Sequence, residues 1–219
     1  MLCLARLLLA ALLALGLPLA HAQPTGRLND TGQTLCDDGS NTMVACTAAN
    51  TGDTATMPRQ DARFGRDAAA AAGQLTKVGG GVAGFDFTAL DANGNATTPG
   101  SHACVKDNQT KLIWSTETIS NVTWVDAQTT ATTYSHCGYT TGWRLPTRRE
   151  LLSIVHHGAS SLAIDSTYFP ATQSDWYWSG DTYAPDPTKA WYVIFGFGNT
   201  GAYSKTTYPT RVRLVQSGQ

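Results

Sequence analysis

Arg6 stands ahead of an unbroken apolar run from Leu7 to Leu17, which gives way to Pro18 and then to Ala20-His21-Ala22. A charged head, a short apolar stretch and small side chains at the positions a signal peptidase reads predict a secretory leader, residues 1–22, cut after Ala22. A bilayer span needs about 20 apolar residues, so the run is too short for a membrane helix, and no membrane span is expected in the mature chain. Cys3 precedes the run and Gln23, not a cysteine, stands immediately after the expected cut, which argues against a lipid anchor. The expected destination is the periplasm or the extracellular, cell-surface space. That destination constrains the fold, because cysteines there are oxidised and help to hold it.

Four cysteines lie beyond the leader: Cys36, Cys46, Cys104 and Cys137. An even number in an exported chain reads as a disulfide framework with three possible pairings. Proximity favours Cys36 with Cys46 and Cys104 with Cys137, closures that chain-entropy arguments credit with about 3 and about 4 kcal/mol. Neither C-x-x-C spacing nor a paired His-Cys arrangement is present, so no metal and no other cofactor is expected. With 15 Lys+Arg against 16 Asp+Glu the formal net charge is −1, which offers nothing to nucleic acid or an anionic membrane.

The apolar residues are unevenly distributed. Residues 23–100 are rich in Gly, Asp, Asn, Thr and Ala and poor in large aliphatics, so they read as an extension that leans on a C-terminal body, residues 101–219. Within the extension, Asp67 to Ala72 is a short helical candidate closed by Gly73, and Gly84 to Leu90 alternates like a strand. Asp91, Asn93 and Asn95 have the spacing of a calcium loop, but Ala96 and His102 stand where its Gly and Glu belong, so a turn is the better reading. Asp37 to Asn41 is likewise read as a turn.

All six tryptophans, Trp114, Trp124, Trp143, Trp176, Trp178 and Trp191, fall in the body, and the core is expected there. Cys104 to Asp107 and Leu112 to Trp114 predict a hairpin around an Asn108 to Lys111 turn. Thr123 can cap a helix from Trp124 to about Tyr134. Pro146, Thr147 and Glu150 make a capping box ahead of Leu151, Leu152, Ile154 and Val155, which predicts a second helix from Arg148 to His157. Trp176 to Ser179, Ala190 to Phe197 and Arg211 to Val215 read as strands; in the middle one Trp191, Val193, Phe195 and Phe197 share the expected buried face.

Trp143-Arg144-Leu145-Pro146-Thr147 with Glu150-Leu151, then Tyr177-Trp178-Ser179, Ala190-Trp191-Tyr192-Val193 with Phe195-Gly196, and Arg211 to Val215 resemble the Lcl C-terminal domain family, named for the Legionella collagen-like adhesin. The likeness covers about Ala103 to Val215, including Asp107-Asn108, Thr110 and Leu112-Ile113-Trp114. It departs from the family at Lys111, where glycine is expected, and at Gln216, where arginine often follows. A more distant similarity joins Val122 to Ala127 and Trp143 to Thr147 to the sulfatase-modifying-factor family. That similarity implies an α+β, C-type-lectin-like domain, two helices flanking a twisted, mostly antiparallel sheet with long loops, to which the cysteine spacing adds two disulfides. It does not imply formylglycine chemistry, which depends on a cysteine pair late in the domain, whereas no cysteine follows Cys137 here.

No G-x-S-x-G, H-E-x-x-H or phosphate-cradling loop is present, and adjacent His156 and His157 suit a helix end better than a metal or acid/base pair. No catalytic residue is assigned. Trp143, Arg144, Pro146, Thr147 and Glu150 are read as structural. Ligand contacts are expected instead in the segments 174–187 and 198–209, where Trp176, Tyr183, Asn199, Tyr203, Lys205 and Tyr208 mix aromatic faces with polar groups, as sugar binding requires. Lys189, Lys205, Arg211 and Arg213 are the cations a sulfated polymer could use. The expected function is noncatalytic recognition or adhesion, with an extracellular glycan or surface polymer as partner. The rivals are a structural, oligomerising part of a surface assembly and an enzyme of different chemistry on a formylglycine-type scaffold.

Overall fold

The computed structural model describes residues 29–37, 40, 42–46 and 60–217. The expected leader lies outside these residues, as does most of the Asp37 to Asn41 turn. In chain order the elements are β1 (Leu35–Asp37), β2 (Met43–Ala45), a 3-10 turn (Asp61–Arg63), α1 (Gly65–Ala71), β3 (Phe87–Leu90), β4 (Ala96–Thr97), β5 (Cys104–Asp107) and β6 (Leu112–Ser115). There follow β7 (Ile119–Val122), α2 (Trp124–Thr133), β8 (Trp143–Arg144), α3 (Arg148–Leu152), β9 (Trp176–Thr182), β10 (Lys189–Ile194), β11 (Thr200–Ser204), β12 (Thr210–Val212) and β13 (Val215–Ser217).

Both expected disulfides are present, Cys36–Cys46 across the β1–β2 ribbon and Cys104–Cys137 between β5 and the segment after α2. The larger strands form two sheets, one in the order β4-β3-β5-β6-β13-β8 and one in the order β11-β10-β9-β12-β7. Pairing is antiparallel throughout the first; in the second only β9 with β12 is parallel. The expected Arg211 to Val215 strand is thus two strands in different sheets. The chain crosses between them at Arg213 and Leu214, which are 0% and 1% exposed.

The hairpin forms where expected, and the Lys111 departure has a simple resolution. Lys111 sits at φ 67°, the left-handed region that glycine favours, and its ammonium donates to the Asn108 carbonyl at 2.6 Å. Both capped helices also form: Thr123 accepts from the Asp126 N–H, and Thr147 and Glu150 complete the reciprocal box. α3 is shorter than the apolar pattern predicts, ending at Leu152 instead of His157. After Leu152 the backbone takes partners elsewhere, His156 N–H donating to the Ala163 carbonyl and His157 N–H to the Thr31 carbonyl. Leu151, Ile154 and Val155 remain buried, so burial persists where helical hydrogen bonding stops.

Residues 60–100 do more than lean on the body. β3 pairs with β5 over Phe87–Asp107 to Leu90–Cys104, and Phe85 and Phe87 are both 1% exposed beside Leu151, Phe169 and Phe195. Each such side chain contributes about 1.5–3 kcal/mol by leaving water. Buried carboxylates organise the rest. Asp67 accepts from the Gly32 and Gly84 N–H groups, and Asp86 from the Val78 and Gly79 N–H groups and the Asn108 amide. Asp165 accepts from the Val82 N–H, and Asn29 donates to Asp107 at 2.6 Å. Short Gly-rich segments with few apolar side chains are thereby ordered through backbone N–H groups. The Asp91 carboxylate accepts from the Asn93 and Asn95 N–H groups at 2.9 Å, a turn whose donors hold it below the usual carboxylate range.

Candidate functional site: an aromatic face on the second sheet

Strand alternation on β9 and β10 sorts their aromatic residues. In the antiparallel register Ile194 lies opposite Trp176, Val193 opposite Tyr177 and Tyr192 opposite Trp178, so Trp176, Trp178, Tyr192 and Ile194 share one side. Tyr177 and Val193, both 0% exposed, point the other way into the core. β10 ends at Ile194 because the Gly198 N–H bonds the Ile194 carbonyl and the Ile194 N–H bonds Asn199, closing a turn. Two residues of the expected buried face are therefore misplaced. Phe197 sits in the turn at 75% exposure, and Trp191 is only half-buried.

On the Trp176 side four rings assemble. Trp176 stacks on Tyr192 with centroids 4.3 Å apart and planes 6° from parallel. Tyr203 stands edge-on to Trp176 at 5.6 Å, Tyr208 lies 5.2 Å from it, and Tyr203 and Tyr208 touch each other at 5.2 Å. Tyr203 and Tyr208 remain 42% and 44% exposed. Gly201 makes the stack possible. It faces Tyr192 across the β10–β11 pairing, and a Cβ there would lie 2.4 Å from the Tyr192 hydroxyl and 2.7 Å from Cζ.

Of the six expected contact residues the structure brings Trp176, Tyr203 and Tyr208 into this face and leaves the others outside the stack. Lys205 lies over the Trp124 ring at 4.3 Å and donates to the Thr182 hydroxyl at 2.8 Å. Tyr183 packs edge-on against Trp191 at 5.0 Å, and Asn199 serves the β10–β11 turn through its carbonyl. Sequence reading missed Tyr192, whose signal was its place two residues from both Ile194 and Ala190 on an alternating strand. No strand is expected in residues 198–209, yet β11 forms there, with Gly201 and Tyr203 alternating along it.

The charge pattern also departs from expectation. Arg213 is fully buried, ringed by Phe169, Tyr177 and Phe195 at 4.8, 5.8 and 5.9 Å, with one N–H donated to Thr172. It is unavailable to any polymer. Lys189 faces Asp186 at 3.1 Å and Arg211 faces Asp175 at 2.9 Å, so the basic cluster considered for sulfated ligands is largely neutralised. Trp143 and Arg144 act within the fold. The Trp143 indole donates to the Tyr139 carbonyl, and Arg144 grips both Glu150 oxygens at 2.8 and 2.7 Å. Cys104, His136 and Cys137 place their donor atoms within 4.8 Å of one another, but the two sulfurs are joined as a disulfide and offer no thiolate to a metal.

These features define a disulfide-containing α+β domain with a solvent-facing aromatic stack on one sheet. Comparison with known families matches residues 103–216 to the Lcl C-terminal domain, and the chain belongs to that family. A search of the curated proteins finds no match. No helix among the described residues is long and apolar enough to cross a membrane.

Proposed function

We propose that this is an exported, noncatalytic recognition module of adhesin type, lectin-like in fold, that binds carbohydrate on the Trp176 face. One observation carries the reading. Trp176 is held rigid by Tyr192 while Tyr203 and Tyr208 beside it stay more than two-fifths exposed. Rings with no apolar partner on their outer side keep a hydrophobic surface in water, and the C–H faces of pyranose rings are suited to cover it. Thr206 and Thr207, exposed between Tyr203 and Tyr208 in the chain, offer polar neighbours. Membership of the Lcl C-terminal family supports an adhesin-like role at a surface. A glycan array probed with the wild-type chain and with Trp176→Ala tests the reading. Neutral oligosaccharides should be retained by the wild type and lost about tenfold or more by the variant, the scale of one well-made ring contact or greater. An array silent for the wild type, or unchanged by the substitution, rejects it.

A further inference from the structure

A second cluster lies on the other side of β10, since Trp191 and Tyr192 are successive strand residues. There the Arg148 guanidinium lies over the Trp191 ring at 4.0 Å, and Tyr183 meets the same indole edge-on at 5.0 Å and 83°. Arg148 is the first residue of capped α3, and its backbone N–H is fixed by Asp181 at 2.6 Å. The side chain is therefore anchored where it leaves the backbone and rests on the ring at its far end. Arg144, Arg211 and Lys189 each face a carboxylate at 2.7 to 3.1 Å, but among the described residues the Arg148 side chain has neither a carboxylate within salt-bridge reach nor a hydrogen-bond acceptor. Asp181, the acid beside it, spends its Oδ2 on the Arg148 backbone.

We propose that Arg148, Trp191 and Tyr183 form a second binding site, which takes the carboxylate of a uronic-acid sugar. A guanidinium stacked on an indole keeps its edge N–H groups free in a planar fork, and that fork matches the two coplanar oxygens of a carboxylate. Stacking removes rotamer freedom before the ligand arrives, so less is lost on binding. Trp191 and Tyr183 offer ring surface beside the fork for the sugar that carries the carboxylate. A sulfate can meet the same fork through two of its oxygens, so a sulfated polymer without carboxylates is the control that separates the two anions. The choice of a sugar rests on the carbohydrate reading above; the choice of a carboxylate rests on Arg148 alone.

Calorimetric titration of the full chain with trigalacturonate and with its carboxyl-reduced trisaccharide separates the two. The acidic trisaccharide should bind about tenfold or more tightly, the scale of a charge-assisted bidentate pair. Arg148→Lys, which keeps the charge but not the fork, should erase most of that ratio, and Arg148→Gln all of it. Trp176→Ala should leave the Arg148-dependent binding of trigalacturonate in place, so trigalacturonate binding that depends on Arg148, in a chain whose neutral binding Trp176→Ala does not alter, marks failure of the Trp176 face alone. A wild-type ratio near one, a ratio unaltered in Arg148→Gln, or hexaglutamate or a sulfated carboxyl-free dextran binding as tightly as trigalacturonate overturns the proposal.

Discussion

Adjacent residues on β9 lead to two aromatic clusters of similar composition and opposite fate. Tyr177 points inward, where its ring meets Phe195 edge-on at 4.9 Å and flanks the buried Arg213. Trp176 points outward and stacks on Tyr192 beside two exposed tyrosines. Both clusters hold aromatic rings, yet one is closed on every side and the other is open on one. Residue type does not separate core from contact surface here, and alternation does so only at the Trp176 end of β9, since Trp178 on the same side is 0% exposed.

The largest expected effect falls on the closed cluster. Tyr177→Ala removes a ring that is 0% exposed, together with the hydroxyl that accepts the Gln173 N–H at 2.9 Å. It should cost about 3–5 kcal/mol in urea unfolding. Trp176→Ala, in the open cluster, should cost less, about 2–3 kcal/mol, because the ring is only partly buried although it meets three others. Equal losses at the two positions would mean that the outward face is core after all, covered by something in solution.

A smaller effect tests the order of the open cluster. Gly201→Ala places a methyl against Tyr192, and because Tyr192 is pinned by Trp176 on its other side the ring must shift or the strand must bend. A loss of about 1–3 kcal/mol is expected for such overpacking, with an altered near-ultraviolet tryptophan signal. An unchanged signal and full stability would show that the stack is loose, and a loose stack is a poor platform for a sugar ring.

Local chemistry announced much of this fold. The Thr147–Glu150 box, the Thr123 cap, the hairpin ahead of Trp114 and the two short-range disulfides are each specified within a few tens of residues, and each forms. What escaped depends on distant partners. The early end of α3 is set by Ala163 and Thr31, and the division of Arg211 to Val215 between two sheets is set by β9 and β6. The candidate site was half legible. Trp176, Tyr203 and Tyr208 stood out as aromatics among polar neighbours, whereas Tyr192 and the burial of Arg213 follow from register, which no local window contains.

Arg213 gives the subtlest way to sharpen the contrast, because its charge serves no ligand and its burial has a cost. Desolvation lowers its pKa to about 10, and Nε and Nη1 have no hydrogen-bond partner among the described residues. The unfolded chain holds that proton more tightly than the folded one. The penalty is therefore fully in place at neutral pH and is relieved as pH rises through about 10. Methionine has similar length and no charge. Arg213→Met forfeits the bond to Thr172 and the attraction to three rings but removes the penalty, so the variant should lie within about 1 kcal/mol of the wild type at neutral pH. Stability followed across pH 10 should then show the wild type gaining relative to the variant. A loss rivalling that of Tyr177→Ala, with no such gain, would make the guanidinium the organiser of the closed cluster. The closed cluster would then be set apart by its cation as well as by its burial.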